Sequence, residues 1–557
     1  MKMEAREDLT GRVCNHSLSL SLRSREKIPR PAVTGVAAST PSSEMAEQEK
    51  LLELPEQPPK PAVEGELAGE CKLRLVNRDQ LTMAQIDVEH LIDEHHPARG
   101  IWEVTKGLDL SKYESAIRTR KGEVGRAAWP PQLLVAVWLY GYSQGITSAR
   151  ELERQMEYEP GLMWLTGMEV INHHSLSDFR IDRGEALTDL FTQMLVVLSD
   201  AGLVKVRLVA HDGTKIRAQA GVDSFRREAT LRQKLEQARK LVEEDPQADG
   251  GNKRQQAAQQ RARRERVERA ESALEQLKKI QASVKEAEKD GLRVSLSEAE
   301  ARKMKHGDHA IAPSYNTQVS TDADSGVIVG VHVSQSADDS HGLKPAIEEI
   351  QKNLGRMPEQ IVADGGFTNR DSIQRMAEST IDFYGSLPDA KERSEAAMKS
   401  RGIDPQFAPH FFILQAETRT AQCPAGKPMK YLRRHKKRGD EYTSYRADGA
   451  DCLACAFQKQ CCPKNATKGR IVSFRGQERE AIAEFRKKMA SEEGQRIYKR
   501  RGAIAEFPFA WIKERMKLRK FRLFGLRKAS LEALWASLAY NVMIWLRVTR
   551  QGAPATA

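Results

Sequence analysis

Between 187 and 198 the apolar positions fall three and four apart: Leu187, Leu190, Phe191, Met194, Leu195 and Leu198 share one face, the stripe of a helix laid on a core. Upstream, the stretch PPQLLVAVWLYGYSQG puts Pro130 and Pro131 at a helix start and Gly145 where a stop is expected. Thr147 or Ser148, and then Ser175 or Ser177, are candidates for the N-caps of later helices. The pattern predicts an all-helical block from about 80 to 200.

Past 203 the period shortens to two. LVKVRLVAHDG reads as a strand ending on Asp212, with Gly213, Thr214 and Lys215 turning the chain away. SYNTQVSTDADSGVIVGVHVSQSADD has two alternating runs around Asp322 to Gly326, an antiparallel hairpin. A helix (HGLKPAIEEIQKNLG), a strand closing on Asp364 in QIVADGG, another helix and a last strand in STIDFYGSL follow. That order specifies an α/β core with a mixed sheet.

Two segments interrupt this rhythm. Residues 222–305 are rich in Arg, Glu, Gln, Lys and Ala, and Val267, Ala270, Leu274, Leu277, Val284 and Ala287 form a nearly heptad seam. This predicts an antiparallel helical hairpin whose charges face water. Residues 386–470 hold five of the seven cysteines. Cys452 and Cys455, with Cys461 or Cys462 close by and Cys423 further off, can close a tetrahedral thiolate site for Zn²⁺; the alternative is a group of reduced cysteines without metal.

With 557 residues the chain exceeds the roughly 250–300 at which one core stops growing, so more than one folded unit is expected. The longest apolar runs, at 133–142 and 534–546, are shorter than the roughly 20 residues of a membrane-spanning helix. No secretory signal stands in the Ser- and Arg-rich first 45 residues, which points to the cytoplasm and argues against a disulfide framework. Met45 is an alternative start, and residues 1–68 have the composition of a disordered segment. A net charge of +12 favours a polyanionic partner, nucleic acid first.

The chemistry gathers on acids. An Asp-Gly turn is the ordinary reading of Asp212, and an Asp-x-Asp-Gly-Thr phosphohydrolase is excluded because Ala210 stands where its nucleophile would be. Asp364, however, ends a second strand in the same way. Two such carboxylates on neighbouring strands are stable together only beside a cation, and oxygen ligands suit Mg²⁺. A third acid fits Glu506, which with Glu514 stands among twelve Lys and Arg between Arg496 and Lys528. Tyr498, Phe507, Phe509, Trp511, Phe521 and Phe524 interleave aromatics that stack on bases or pack a core. Pro508 places the start of the following helix just after Glu506. His211, His173 and His174 read as structural or DNA-facing residues, and Asp338 and Asp339 as helix caps or surface groups.

Asp212 in DGTK, Asp364 in ADGG and the run Tyr498, Arg501, Glu506, Lys513 resemble the DDE transposases of bacterial insertion sequences, in the branch with a Tyr–Arg–Glu–Lys signature. The similarity spans about 80 to 546 and takes in LYGYSQGITSARELE, SLSDFR, SYNTQV, CPAGK and FGLRKASLEALWASLAYN, with one extra residue between Arg501 and Glu506. The resemblance implies an RNase H-like catalytic core and cleavage and strand transfer at terminal inverted repeats. It implies Asp212, Asp364 and Glu506 as catalytic ligands of two Mg²⁺ ions, with Mn²⁺ able to substitute. Tyr498, Arg501 and Lys513 would contact DNA near the cleaved phosphate, and Arg515, Lys517, Arg519, Lys520 and Arg522 extend that basic surface. Partners would be double-stranded transposon-end and target DNA and a second copy of the chain, in a cytoplasmic, nucleoid-associated protein. An inactive transposase-derived DNA-binding protein and a stand-alone metal-dependent nuclease are the alternatives. The expected divisions are a helical, DNA-binding domain at 69–202, a first core part at 203–385, the cysteine insertion at 386–470, a last core part at 471–547 and a disordered tail at 548–557.

Overall fold

A computed structural model describes residue 83 and residues 85–550, apart from 116, 118, 120–126, 244–251, 416–417 and 438. The segment 1–68 and the end of the chain from 551 lie outside the described residues. Everything below belongs to the unit Ala84–Ala557.

The chain is mixed α/β with a helical N-terminal region. That region contains α1 (Pro97–Lys106), α2 (Pro131–Ser143), α3 (Ala149–Gln155), α4 (Pro160–Thr166), α5 (His173–Asp182) and α6 (Gly184–Asp200). Helix α2 is buried from Pro131 to Ser143 except at Gln132, which explains its lack of any polar stripe. Gly145, at φ +76, turns the chain out of it. All six apolar residues singled out in α6 are buried. The caps differ from expectation: Asn172 accepts the His174 N–H at 2.8 Å and starts α5, so Ser175 and Ser177 lie inside the helix. Ser148 stands at the N-cap of α3 without a side-chain bond.

A six-stranded mixed sheet follows: β1 (Leu208–Arg217), β2 (Arg302–Lys305), β3 (Ile311–Asp322), β4 (Ile328–Ser334), β5 (Gln360–Ala363) and β6 (Asp382–Gly385). Its order is β3–β1–β5–β6, with β2 and β4 both on the outer edge of β3. The pairs β1–β3 and β3–β4 are antiparallel, whereas β1–β5 and β5–β6 are parallel. Between β1 and β2, helices α7 (Glu228–Glu243) and α8 (Lys253–Ser283) run antiparallel, tied by Arg239 to Glu271 at 2.8 Å and Gln281 to Glu228 at 2.7 Å. Their seam is Leu231, Ala270, Ala273 and Leu277. Val284 and Ala287 fall beyond the end of α8 and take no part in it.

Helices α9 (Leu343–Leu354), α10 (Arg370–Ala377) and α11 (Ala390–Lys399) lead into a five-stranded antiparallel sheet. Its strands are β7 (Ile413–Gln415), β8 (Thr420–Gln422), β9 (Pro428–Lys437), β10 (Asp440–Ala447) and β11 (Ile471–Arg475), in the order β11–β10–β9–β8–β7. Then come α12 (Glu480–Ala490), α13 (Glu492–Ala510) and α14 (Leu526–Arg550). Helix α14 returns to the N-terminal region, where Trp535 stacks on Tyr142 and tilts against Trp138, each at 6.5 Å between ring centres. Among the described residues no helix is long and apolar enough to cross a membrane.

Each face of the main sheet carries its own helices. Leu208, Ala210, Val362 and Tyr384 pack beneath Ile497 and Ala505 of α13. Val209, on the opposite face, joins the large core that also holds Ile350 of α9, Leu195 of α6 and Trp535. The alternation of β1 therefore sends even-numbered side chains toward α13.

Candidate active site

Strand β1 does not end at Asp212. Its antiparallel partner β3 continues for nine registered pairs, from Val209↔Asp322 to Arg217↔Ser314, and carries β1 straight through the Asp-Gly step with Asp212 opposite Val319. On the other side β5 stops at Ala363, opposite His211. Asp212 is thus the first residue of β1 beyond the end of β5, and Asp364 is the first residue after β5. In a parallel pair, residues in register point to the same face, so both acids extend the rows Leu208–Ala210 and Val362 under α13.

The Asp212 side chain is only 17% exposed. Its Oδ1 accepts the Gly213 N–H at 2.8 Å, and Arg501 Nη1 on α13 stands 3.4 Å from Oδ2. Burial pushes its carboxyl up to about 6, and the neighbouring charge of Asp364 adds to the rise against the pull of Gly213 N–H and Arg501. Asp364 is half-buried, its Oδ1 accepting the N–H groups of Gly366 at 2.8 Å and Phe367 at 3.3 Å. Lys513 reaches β1 two residues along and donates to Thr214 Oγ1; burial lowers its pKa.

A further acid, Asp339, sits beside this pair. A Cβ built on Gly213 would meet its Oδ1 at 2.9 Å, and one on Gly366 would meet its Oδ2 at 3.4 Å and Asp364 Oδ1 at 3.0 Å. Asn316 and Gln318 of β3 hold Asp339 by donating to Oδ1 at 2.6 and 3.3 Å. Neither Asp338 nor Asp339 caps a helix: Asp338 accepts the Ser340 N–H at 3.1 Å in the loop, and α9 starts from Gly342 without a side-chain cap. Gly213 and Gly366, lacking side chains, leave room for this third carboxylate, which no local signal in the sequence marks.

Glu506 lies on α13, the helix over the two aspartates, and is exposed. At about 100° per residue it points about 140° away from Arg501. The expected start of a helix after Glu506 is corrected: α13 runs from Glu492 to Ala510 with Pro508 inside it. Pro508 leaves the Ile504 carbonyl without its helical N–H, and one turn later the coil widens into a π turn at Trp511–Arg515. Asp212, Asp364, Arg501 and Lys513 are therefore brought together, and Glu506 is near them in the chain's path but turned outward. Tyr498 is half-buried and packs on the sheet beside Ala210.

Arg515, Lys517, Arg519, Lys520 and Arg522 are exposed along a strap that leaves the π turn. Leu518 and Phe521 are its buried anchors. The strap pairs with the end of β1 through Arg217 N–H to Arg519 O at 3.3 Å and Phe521 N–H to Arg217 O at 2.9 Å. Buried carboxylates fix the rest: Glu532 accepts the N–H groups of Arg522 and Leu523 at 2.8 and 2.9 Å, and Glu298 that of Gly525 at 2.9 Å. Arg519 is paired with Glu514.

His211 is a core residue, with Nδ1 2.9 Å from Ser320 Oγ and its ring edge-on to Phe367 at 4.7 Å; burial drives its pKa down to about 3. His173 pairs with Glu153 at 2.5 Å and packs on His174.

In the second sheet, Cys423, Cys452, Cys455, Cys461 and the buried Cys462 line one hollow, all as free thiols. Burial pushes Cys461 up to about 11 and also raises Cys452. Among the described residues no three His, Cys, Asp or Glu side chains stand close enough to hold a metal as placed. The donor types fit two kinds of ion all the same: carboxylate oxygens at the strand ends suit a hard divalent cation, and clustered sulfurs suit a soft one.

Two known families match the chain. One, described as a transposase domain (DUF772), covers residues 86–182, the helical region from before α1 through α5. The other, described as a transposase DDE domain, covers 422–544, which includes Arg501, Glu506 and Lys513 but neither Asp212 nor Asp364. No curated protein matches the chain.

Proposed function

Because the chain is a DDE transposase of the insertion-sequence type, we propose that it cuts DNA at the terminal inverted repeats of its element and joins the freed ends to target DNA. One observation carries this reading. Asp212 and Asp364 stand at the same level of adjacent parallel strands, on the face covered by the helix that bears Glu506. The sheet order, three antiparallel strands followed by two parallel to the first, supports an RNase H-like core.

Asp212, Asp364 and Glu506 would hold Mg²⁺, for which Mn²⁺ can substitute. Two such ions, when bound, activate a water or a DNA 3′-hydroxyl and stabilise the leaving oxygen. Arg501 neutralises Asp212 in the structure as it stands. When that carboxylate is neutralised otherwise, the guanidinium can turn to a phosphate oxygen, with Lys513 beside it. Glu506 must rotate inward, and Pro508, which leaves α13 one backbone hydrogen bond short, with the π turn after it is the weak point that allows this. The strap from Arg515 to Arg522 holds the duplex backbone. Two chains act together, because two transposon ends must meet, and the protein works in the cytoplasm on the nucleoid.

The test is cleavage and joining of end-bearing DNA with Mg²⁺. Asp212→Asn, Asp364→Asn and Glu506→Gln should each lower the rate by about a hundredfold or more with DNA affinity kept. Activity surviving in all three sinks the reading, and cut ends that are never joined would leave a nuclease. In the second sheet, Cys423, Cys452 and Cys455 with Cys461 or Cys462 would hold Zn²⁺; metal analysis of the purified chain finding no zinc removes this part alone.

A further inference from the structure

The main sheet and the cysteine-bearing sheet meet across a cavity of about 550 Å³. One wall is the loop Ser340–His341, directly after Asp339 and tied to the Asp364 loop by Asn369 Nδ2 donating to Ser340 O at 2.8 Å. Opposite it stand the ends of β9, β10 and β11.

Positive charge there is under-compensated. The Asp440 carboxylate, buried at the start of β10, is shared by three guanidinium groups: Arg370 at 2.9 Å, Arg479 at 2.9 Å and Arg475 at 3.6 Å. Glu478 serves both Arg370 at 2.9 Å and Arg486 at 3.6 Å. Arg370 Nη2 is buried and makes no hydrogen bond. Arg393 of α11 and Lys437 at the end of β9 line the same cavity, exposed, with no carboxylate partner among the described residues. Asp371 adds one acid, 3.4 Å from Arg479, yet cations still outnumber carboxylates around the cavity, an excess that favours a bound anion.

We propose that this cavity is a phosphodiester subsite, which takes the DNA backbone a short way from the cleaved phosphate and makes the cysteine-bearing sheet part of the grip. It rests on the transposase reading. Arg393 and Lys437 are its mobile phosphate contacts, and Arg370, fixed by Asp440 and Glu478, gives it shape. Arginine suits the rigid position because its planar fork keeps donors to spare after pairing with a carboxylate.

The experiment measures affinity of the full chain for a generic duplex oligonucleotide over a KCl series. Arg393→Ala with Lys437→Ala should reduce the slope of log K against log salt by about 1 to 2 and weaken binding by about tenfold at low salt. Arg393→Lys with Lys437→Arg should restore both. Neither alanine replaces a buried or paired group, and thermal unfolding checks that the variant is folded. Wild-type slope and affinity in the double alanine variant would overturn the subsite. A strap variant, Arg515→Ala with Lys517→Ala, tells the two ideas apart. If it weakens binding and the cavity variant does not, the subsite alone is lost; if the wild-type chain has no salt-dependent affinity for DNA, the transposase reading falls and the subsite with it.

Discussion

Asp212 is costly to the chain that carries it. Its folded-state carboxyl, at about 6, lies above the ordinary aspartate range. A raised pKa means stability fully present below about 4, with Asp212 protonated, and lost as pH rises through about 6. At neutral pH the ionised form costs as much as about 3 kcal/mol, part of it screened by the exposed edge. Asp212→Asn should therefore raise the melting temperature at pH 7.5 without metal, with the gain fading below pH 4. Added Mg²⁺ should stabilise the wild type and not the variant; equal responses to pH in both proteins would show that Asp212 is not strained. Asp339 gives the second residue-scale prediction. Asp339→Asn should slow cleavage about tenfold to a hundredfold with DNA affinity retained, whereas Asp338→Asn stays within about twofold. Equal effects of the two would place Asp339 outside the centre. The sequence showed both strand-end aspartates because each follows an apolar run. It hid Asp339, since a pair of acids after a strand looks like a cap and nothing local says that Gly213 and Gly366 make room for it.

At the scale of elements, β1 and α13 each outrun a breaker signal. Asp-Gly marks turns, yet nine cross-strand pairs to β3 hold β1 extended through it. Pro508 marks a helix boundary, yet Phe509 and Ile512 are buried on the core and keep the coil going until it widens. In both places packing between distant segments overrides a local preference, which is why the pattern found the elements and misjudged their ends. A proline inside a helix costs about 3 kcal/mol. Pro508→Ala should recover about 1–2 kcal/mol of stability in denaturant unfolding, the remainder lost to the emptied space of the ring, while cleavage falls because α13 stiffens and Glu506 turns inward less readily. A less stable variant, or one that cleaves at full speed, would show that Pro508 has no part in the reaction. The hairpin seam failed differently: a heptad extrapolated through Val284 and Ala287 cannot see that α8 ends at Ser283.

In the whole molecule, three remote carboxylates hold the basic strap. Glu298 and Glu300 come from the end of the helical insertion, and Glu532 from α14. Glu532 is also 3.9 Å from Arg180 of α5, whose guanidinium lies over Trp138 at 4.4 Å. Glu532→Gln keeps the shape and leaves Arg180 buried without its counter-charge. It should destabilise the protein by about 3 kcal/mol and weaken DNA binding through the loosened strap; an unchanged unfolding midpoint would assign the strap's order to other contacts. None of this was legible from sequence: Glu298, Glu300 and Arg180 meet their partners across hundreds of positions, and Glu532, though only about ten residues from the strap, sits in an ordinary helical stretch.

The stacking of Trp535 on Tyr142 means that α2 waits for α14, synthesised long after it, before its apolar surface is covered. A chain cut short before α14 should therefore leave Trp138 and Tyr142 without the ring that covers them and be prone to aggregation.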